Sequence, residues 1–575
     1  MSRTLLLART FFGRFFESDL MPQGLPQAQL LIWSLAGLAA PALLLPIKFA
    51  TAIADMGPGS QSKALMIFRL GFITWSMTGI GLVALVTWDG MFPDRRDARI
   101  LSALPVPGSI LIGARLLALG ALCGIFLAGM NVIPSLGYGS MMAFFGGAAN
   151  IFLGVIAHFI STTLAGLFVF ATLMVLQGVV LNVGGRRAAD RLSVALQILF
   201  VTTLLQMIFF LPRMASVIAA DLNSGWSRAL PSVWFLGLYD LLGGRPVAGA
   251  PRLALLAVGA VAIMVAGALL LFVATHGRLT RLALESIEVG RGGQRARRLR
   301  AFLTRVACRT PMSRAAFEFT LRSLTRSRSH RLMVSIYVGI ALALAGSGVV
   351  PLALRHGLSG FLSPNFELLA APLVLSFFTL IGIRVALAIP VEPRARWAVR
   401  LAEPVDRLSA MSGVRLALFV AGVVPSSILA ALSAGSLWGL RPALLHTFVC
   451  TAMGLLLVDI LLIRLPKLPF TCTYLPGKAK ASTLWPLYLT GFGIYAFTTA
   501  RFELGLLQRR LSMRALVVFT SVIAAVIVAL WIHRRLYLRG LQGFRFEEED
   551  PDMLFTGFQL SEGYAATAKD VRQLR

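Results

Sequence analysis

The sequence predicts an all-α polytopic membrane protein, with about twelve transmembrane helices arranged as two parallel six-helix halves. Three observations carry that expectation. Of 575 residues, 57% are hydrophobic and only 14% charged, with a positive mean hydropathy; this composition belongs to membrane proteins and not to soluble enzymes. Apolar runs of the roughly 20 residues a helix needs to cross a bilayer recur along the chain. Finally, a charged, proline-bracketed stretch behind the second run, WDGMFPDRRDARILSALPVP at 88–107, has a relative at 392–416, EPRARWAVRLAEPVDRLSAMSGVRL. Arg95 aligns with Arg394, Pro105-Val106 with Pro404-Val405, and Gly113-x-Arg115-Leu116 with Gly413-x-Arg415-Leu416. An apolar run follows each, so an internal repeat is expected.

In chain order, residues 3–20 mix Leu and Phe with Arg3, Arg9 and Arg14, a pattern that suits a helix lying in the interface. A frayed tail is the alternative. No short apolar region with a small-residue cleavage site is visible there, so no cleaved signal peptide is read. Spans are expected near 27–47, 65–88 and 109–132. The run 142–183 is too long for one crossing and reads as an interfacial piece plus a fourth span. A fifth span near 192–212 and a sixth near 253–276 bracket SRALPSVWFLGLYDLLGG, 227–244, which reads as a short amphipathic helix on the outer interface or a plain external loop. Six more spans fall near 332–353, 367–390, 413–437, 443–464, 482–500 and 515–533. Arg501, Glu503, Arg509, Arg510 and Arg514 fit this count poorly, since it places them outside. The expected organisation is a first half over 1–277, a linker and interfacial helix over 278–331, a second half over 332–535 and a tail over 536–575. Such halves are parallel repeats related by an axis along the membrane normal.

The net charge of +29 invites a nucleic-acid reading. Its placement argues otherwise, because the basic residues lie between and beside the apolar runs, as the positive-inside rule requires. The linker 278–331 alone holds fourteen arginines against Glu285, Glu288 and Glu318. It is therefore assigned to the cytoplasm with both termini, facing anionic headgroups, and no nucleic-acid partner is expected. The segment AFEFTLRSLTRS at 316–327 repeats the Phe, Leu and Arg character of the N-terminal piece and reads as its counterpart.

Chemistry-bearing motifs are scarce. LPGKAK at 475–480 lacks the upstream glycine and the hydroxyl of a phosphate-binding loop, and GRGGQR at 290–295 reads as a basic linker. Cys123, Cys308, Cys450 and Cys472 show no paired or metal-like spacing. His158 and His446 stand singly in apolar runs, so neither enzymatic activity nor a cofactor in this chain is expected. Arg384 and Asp459 are the ionisable residues placed within spans, where a charge costs about 2.5–3.5 kcal/mol on insertion scales. Snorkelling, an ion pair between the two, or a proton relay would each accommodate them. Asn131, Gln177, Asn182, Gln197 and Gln206 could line a pathway or join helices.

FPDRRDARILSALPVP followed by ILIGARLLAL resembles the segment found after the second span in permeases of type-two ATP-binding-cassette exporters, where a Leu-x-x-Leu-Pro element precedes a helix with a basic residue near its start, here Arg115. The stretch LPSVWFLGLY is similar to the external helical region of those permeases. The resemblance covers the first half well and the second loosely. It implies a bacterial inner-membrane permease subunit whose cytoplasmic loops dock onto a separate ATPase subunit. Phe92, Pro93, Asp94, Arg95, Arg96, Asp97 and Arg99 would form the coupling element, and Arg394, Arg396 and Trp397 its second-half relative. The rival is a major-facilitator secondary transporter, whose loop motif Gly90, Asp94, Arg95 and Arg99 fit in part while Asp97 and Ala98 depart from it.

Overall fold

The computed structural model describes residues 2–15, 31–32, 35–36, 53, 55–92, 105–145, 148–220, 229–244, 246, 249–285, 308–391, 406–463, 465, 469–470 and 488–540. Every regular element among them is helical. Among the described residues ten helical stretches are long and apolar enough to cross a membrane, so the chain is an all-α polytopic membrane protein. The expected span 27–47 lies almost wholly outside the described residues. Of the expected span 482–500, the described part begins at 488 and continues as helix to 507.

The first half begins with α1 (Arg3–Arg14), which Ser2 caps by accepting from the Leu5 amide. Its inner face, Ala8, Phe11 and Phe15, is buried, while Arg3 and Arg9 face outward. Helix α2 (Pro58–Val86) starts with proline at its first turn, where a missing N–H costs nothing. It buries Leu70, Ile73, Met77, Ile80 and Ala84, an i, i+3, i+4 stripe.

Helix α3 (Gly108–Phe144) and α4 (Ile151–Ala220) follow. The expected run 142–183 holds no separate interfacial helix among the described residues, since α3 carries the chain to Phe144 and α4 takes it up at Ile151. Helix α4 contains two membrane spans, Ile151–Val183 and Leu192–Phe210. A Cβ on Gly81 would meet Leu204 and Val169 together, at 2.6 and 3.1 Å. Residues 35 apart on a straight helix would stand about 50 Å apart, so α4 doubles back into a hairpin around α2. The bundle closes tightly at small residues, as membrane helices do. Where α3 and α4 cross, a Cβ on Gly139 would lie 2.6 Å from the Val155 Cα.

Helix α5 (Pro231–Leu242) corrects one expectation. It is a helix, but not an amphipathic one with a wet face; residues 232–240 other than Trp234 are all buried. A Cβ on Gly237 would sit 2.3 Å from the Leu253 Cβ, which seats α5 deep against α6 (Ala250–Glu285).

The second half also opens on a short amphipathic helix. Helix α7 (Pro311–Arg326) opens on a capping box between Thr310 and Ser313. It packs on the start of α10, the counterpart of α3, as α1 packs on α3. Helices α8 (Arg328–His356) and α9 (Phe366–Ala386) come next, α9 capped by Asn365. Helix α10 runs from Arg407 to Trp438, with a wide turn at Phe419–Val423, and Asp406 caps it. Gly439, at φ 89°, turns the chain directly into α11 (Leu440–Leu461), a conformation that disfavours any side chain. The chain continues through α12 (residues 488–507) and α13 (Met513–Gly540). Glu503, one of the charged residues that fit the span count poorly, is buried within α12.

The halves join where α4 meets α8. Gly339 lies against Val201, Gly346 against Gln206, and the Thr202 hydroxyl donates to the Gly339 carbonyl at 3.3 Å.

The repeated glycines Gly113 and Gly413 supply a matched test. A Cβ at Gly413 would fall 2.1 Å from the Ser313 carbonyl oxygen, whereas one at Gly113 meets nothing within 4 Å. Gly413→Ala is expected to lower stability by about 1–3 kcal/mol, the usual cost of overpacking, and Gly113→Ala to leave it unchanged or raise it; thermal unfolding in detergent or nanodiscs measures both.

Candidate functional site

Carbonyl groups in a chain that has just left a helix need donors, and in a bundle with little water those donors must be side chains. Behind α2 the backbone turns through a single helical turn, Trp88–Met91, and Trp88, Met91 and Phe92 are all buried. Arg115, about two turns into α3, donates to the carbonyls of Gly90 and Phe92, both at 2.9 Å. Its guanidinium also lies 5.3 Å from the Phe11 ring of α1. Gln177 of α4 donates to the Trp88 carbonyl at 2.8 Å. Phe92 meets Phe272 of α6 with ring centroids 5.5 Å apart, and a Cβ on Gly90 would touch Phe15.

The start of the candidate coupling stretch is therefore fixed to α1, α3, α4 and α6 at once. Of the coupling residues expected from the sequence, Phe92 is part of this clamp. Pro93, Asp94, Arg95, Arg96, Asp97 and Arg99, and in the second half Arg394, Arg396 and Trp397, lie outside the described residues.

The second half holds the corresponding position by different atoms. The backbone leaving α9 bonds to Phe470, whose amide donates to Leu387 at 3.0 Å and whose carbonyl accepts from Val391 at 3.1 Å. His330 Nε2 donates to the Ile389 carbonyl at 2.9 Å, and its ring packs on Phe470. Arg415, aligned with Arg115, does not grip the backbone. It donates from Nε and one terminal nitrogen to the two oxygens of Asp459 at 2.7 and 2.6 Å, and Arg534 of α13 adds a third bond at 3.0 Å.

The expected intramembrane charges are thus found in place, but not as a pair. Asp459 pairs with Arg415 and Arg534, while Arg384 Nε donates to the Leu461 carbonyl at 3.0 Å. One carboxylate beneath two guanidinium groups is fully satisfied, and it ties α13 to α10 and α11. Among the polar residues, Asn131 bonds the Ser76 hydroxyl and Asn182 the Thr275 hydroxyl, so these two join helices.

Two further buried polar contacts are not anticipated by the sequence. Arg69 of α2 pairs with Asp240 of α5, and His446 of α11 contacts the Glu503 carboxylate at 3.0 Å. Arg69 sits inside an apolar run and meets the criterion that singled out Arg384, so the signal was present. Among the described residues no group of three or more His, Cys, Asp or Glu is arranged to hold a metal ion.

Asp459→Asn is expected to lower stability by about 3 kcal/mol, the lower end for breaking a buried charge pair because Arg415 is about one-third exposed. Arg384→Gln, which loses one bond to a carbonyl, should cost about 1 kcal/mol. Thermal unfolding of the two variants in one lipid environment gives the ranking. No protein-family model, curated protein or solved structure matches the chain.

Proposed function

We propose that the chain is the membrane permease subunit of an ATP-driven exporter, energised by a separate ATP-binding-cassette ATPase that docks on the segment behind α2 and on its second-half relative. The clamp around Trp88–Phe92 carries this reading. A loop that served only to connect two spans would need no more than its own turn. Here the loop's start is held by Arg115, Gln177, Phe272 and Phe15 on four helices, so a force applied beyond Phe92 reaches all four before the segment can flex. Packed elements with discrete arrangements convert such a push into rocking of one half against the other.

The charged stretch Asp94, Arg95, Arg96, Asp97 and Arg99 supplies polar contacts to a soluble partner, and Pro93, Pro105 and Pro107 limit its length. In this reading the loops, both termini and the Arg-rich linker face the cytoplasm of a bacterium, with the linker against anionic headgroups. The chain itself needs no cofactor, because ATP hydrolysis belongs to the partner subunit.

Charge reversal at Asp94 or Arg95 is expected to uncouple ATP hydrolysis from transport while the protein remains in the membrane. The decisive companion experiment is co-purification from native membrane. An ATP-binding subunit that copurifies with the wild type and is lost in Asp94→Arg supports the assignment. Ion-driven transport in vesicles lacking ATP would replace it with the facilitator reading.

A further inference from the structure

At the end of the first half opposite the clamp, α2, α3, α4 and α5 converge on one buried polar cluster. Arg69, Phe72, Tyr138, His158, Tyr239 and Asp240 are each less than one-tenth exposed. The His158 ring lies 5.2 Å from Phe72, 5.4 Å from Tyr138 and 5.7 Å from Tyr239, measured between ring centroids. Arg69 pairs with Asp240 and lies 5.5 Å from the Tyr239 ring.

Five polar atoms of this cluster have no hydrogen-bond partner among the described residues: both hydroxyls, of Tyr138 and Tyr239, both ring nitrogens of His158, and Arg69 Nε. Unpartnered buried polar atoms are uncommon in native proteins and individually costly. Here the two nitrogens of one imidazole and three atoms of the side chains around it share a single cluster. The second half offers an internal comparison. His446 is the seventh residue of α11, as His158 is the eighth of α4, and its Nδ1 is met by Glu503 at 3.0 Å with the Cys450 sulfur 3.8 Å away. There the protein supplies the imidazole's partner.

We propose that the cluster is a binding site for a small uncharged hydrogen-bonding group, held by Tyr138, His158, Tyr239 and Arg69. The occupant is uncharged because Arg69 and Asp240 already neutralise one another, which leaves no surplus charge to hold an ion. It both donates and accepts, because the hydroxyls and the imidazole offer both functions, while Phe72 and the tyrosine rings form apolar walls. Two sources carry this chemistry: water, and the hydroxyl or amide end of an amphipathic cargo. Only the cargo source rests on the permease reading; the site itself does not.

The test is thermal unfolding of the full chain in lipid nanodiscs, without any ATPase. Tyr138→Phe, Tyr239→Phe and the double variant keep the ring shapes and remove only the hydroxyls. If those hydroxyls hold an occupant, the melting temperature falls by a few degrees and the double variant falls furthest. If they hold nothing, removing an unsatisfied polar atom leaves it unchanged or raises it, and the proposal is overturned. Adding 1-octanol, sodium octanoate or octylammonium chloride then identifies the occupant. A rise with 1-octanol alone, lost in the double variant, indicates a cargo hydroxyl. A fall in the variants with no octanol effect indicates water. Equal or larger shifts with the charged probes overturn the uncharged assignment.

Discussion

Scarcity of water within the bilayer governs this structure more than any single contact. In hydrocarbon each backbone group must find its partner inside its own segment, which is why every described element is a helix. The same rule then acts on side chains. Asn131 reaches Ser76, Asn182 reaches Thr275 and Asp459 takes two arginines. Where a helix must end inside the protein, the freed carbonyls are met by Arg115 in one half and by His330 in the other.

That division of labour shows how a repeat diverges while its architecture persists. Gly113-x-Arg115 and Gly413-x-Arg415 occupy equivalent helix starts, each covered by an amphipathic helix, α1 or α7. In the first half the guanidinium faces the backbone behind α2. In the second, Asp459 lies within reach and captures it, so the backbone behind α9 is held by His330 and Phe470. An acidic residue on a neighbouring span is enough to redirect an aligned arginine.

The helices were legible because apolar length alone specifies a span, and the expected positions of α8, α9, α10 and α11 fall within a few residues of those observed. The amphipathic α1 and α7 were equally readable, from arginines set against a Phe and Leu face. What side chains pair with was not legible, since Asp459 finds Arg415 and Arg534 from 44 and 75 residues away, and sequence spacing carries no trace of such contacts. Helix α5 was placed on the surface because Trp234 and Tyr239 suggested an interface. Its lack of any polar face pointed inward, and Asp240, its one charged residue, required a buried cation. Within the clamp, Phe92 was foreseen and Arg115 was noted only as a basic residue near a helix start; its backbone targets follow from the tertiary fold.

The hairpin of α4 has a mechanical consequence. One limb, near Val169, lies beside α2; the other, from Ile198 to Gln206, is notched into the glycines of α8. The same element that donates through Gln177 to the clamp thus also forms the seam to the other half. Both limbs pack against α2 at Gly81, so a displacement taken up at Gln177 on one limb reaches the seam on the other across that close contact, and not along a single straight rod.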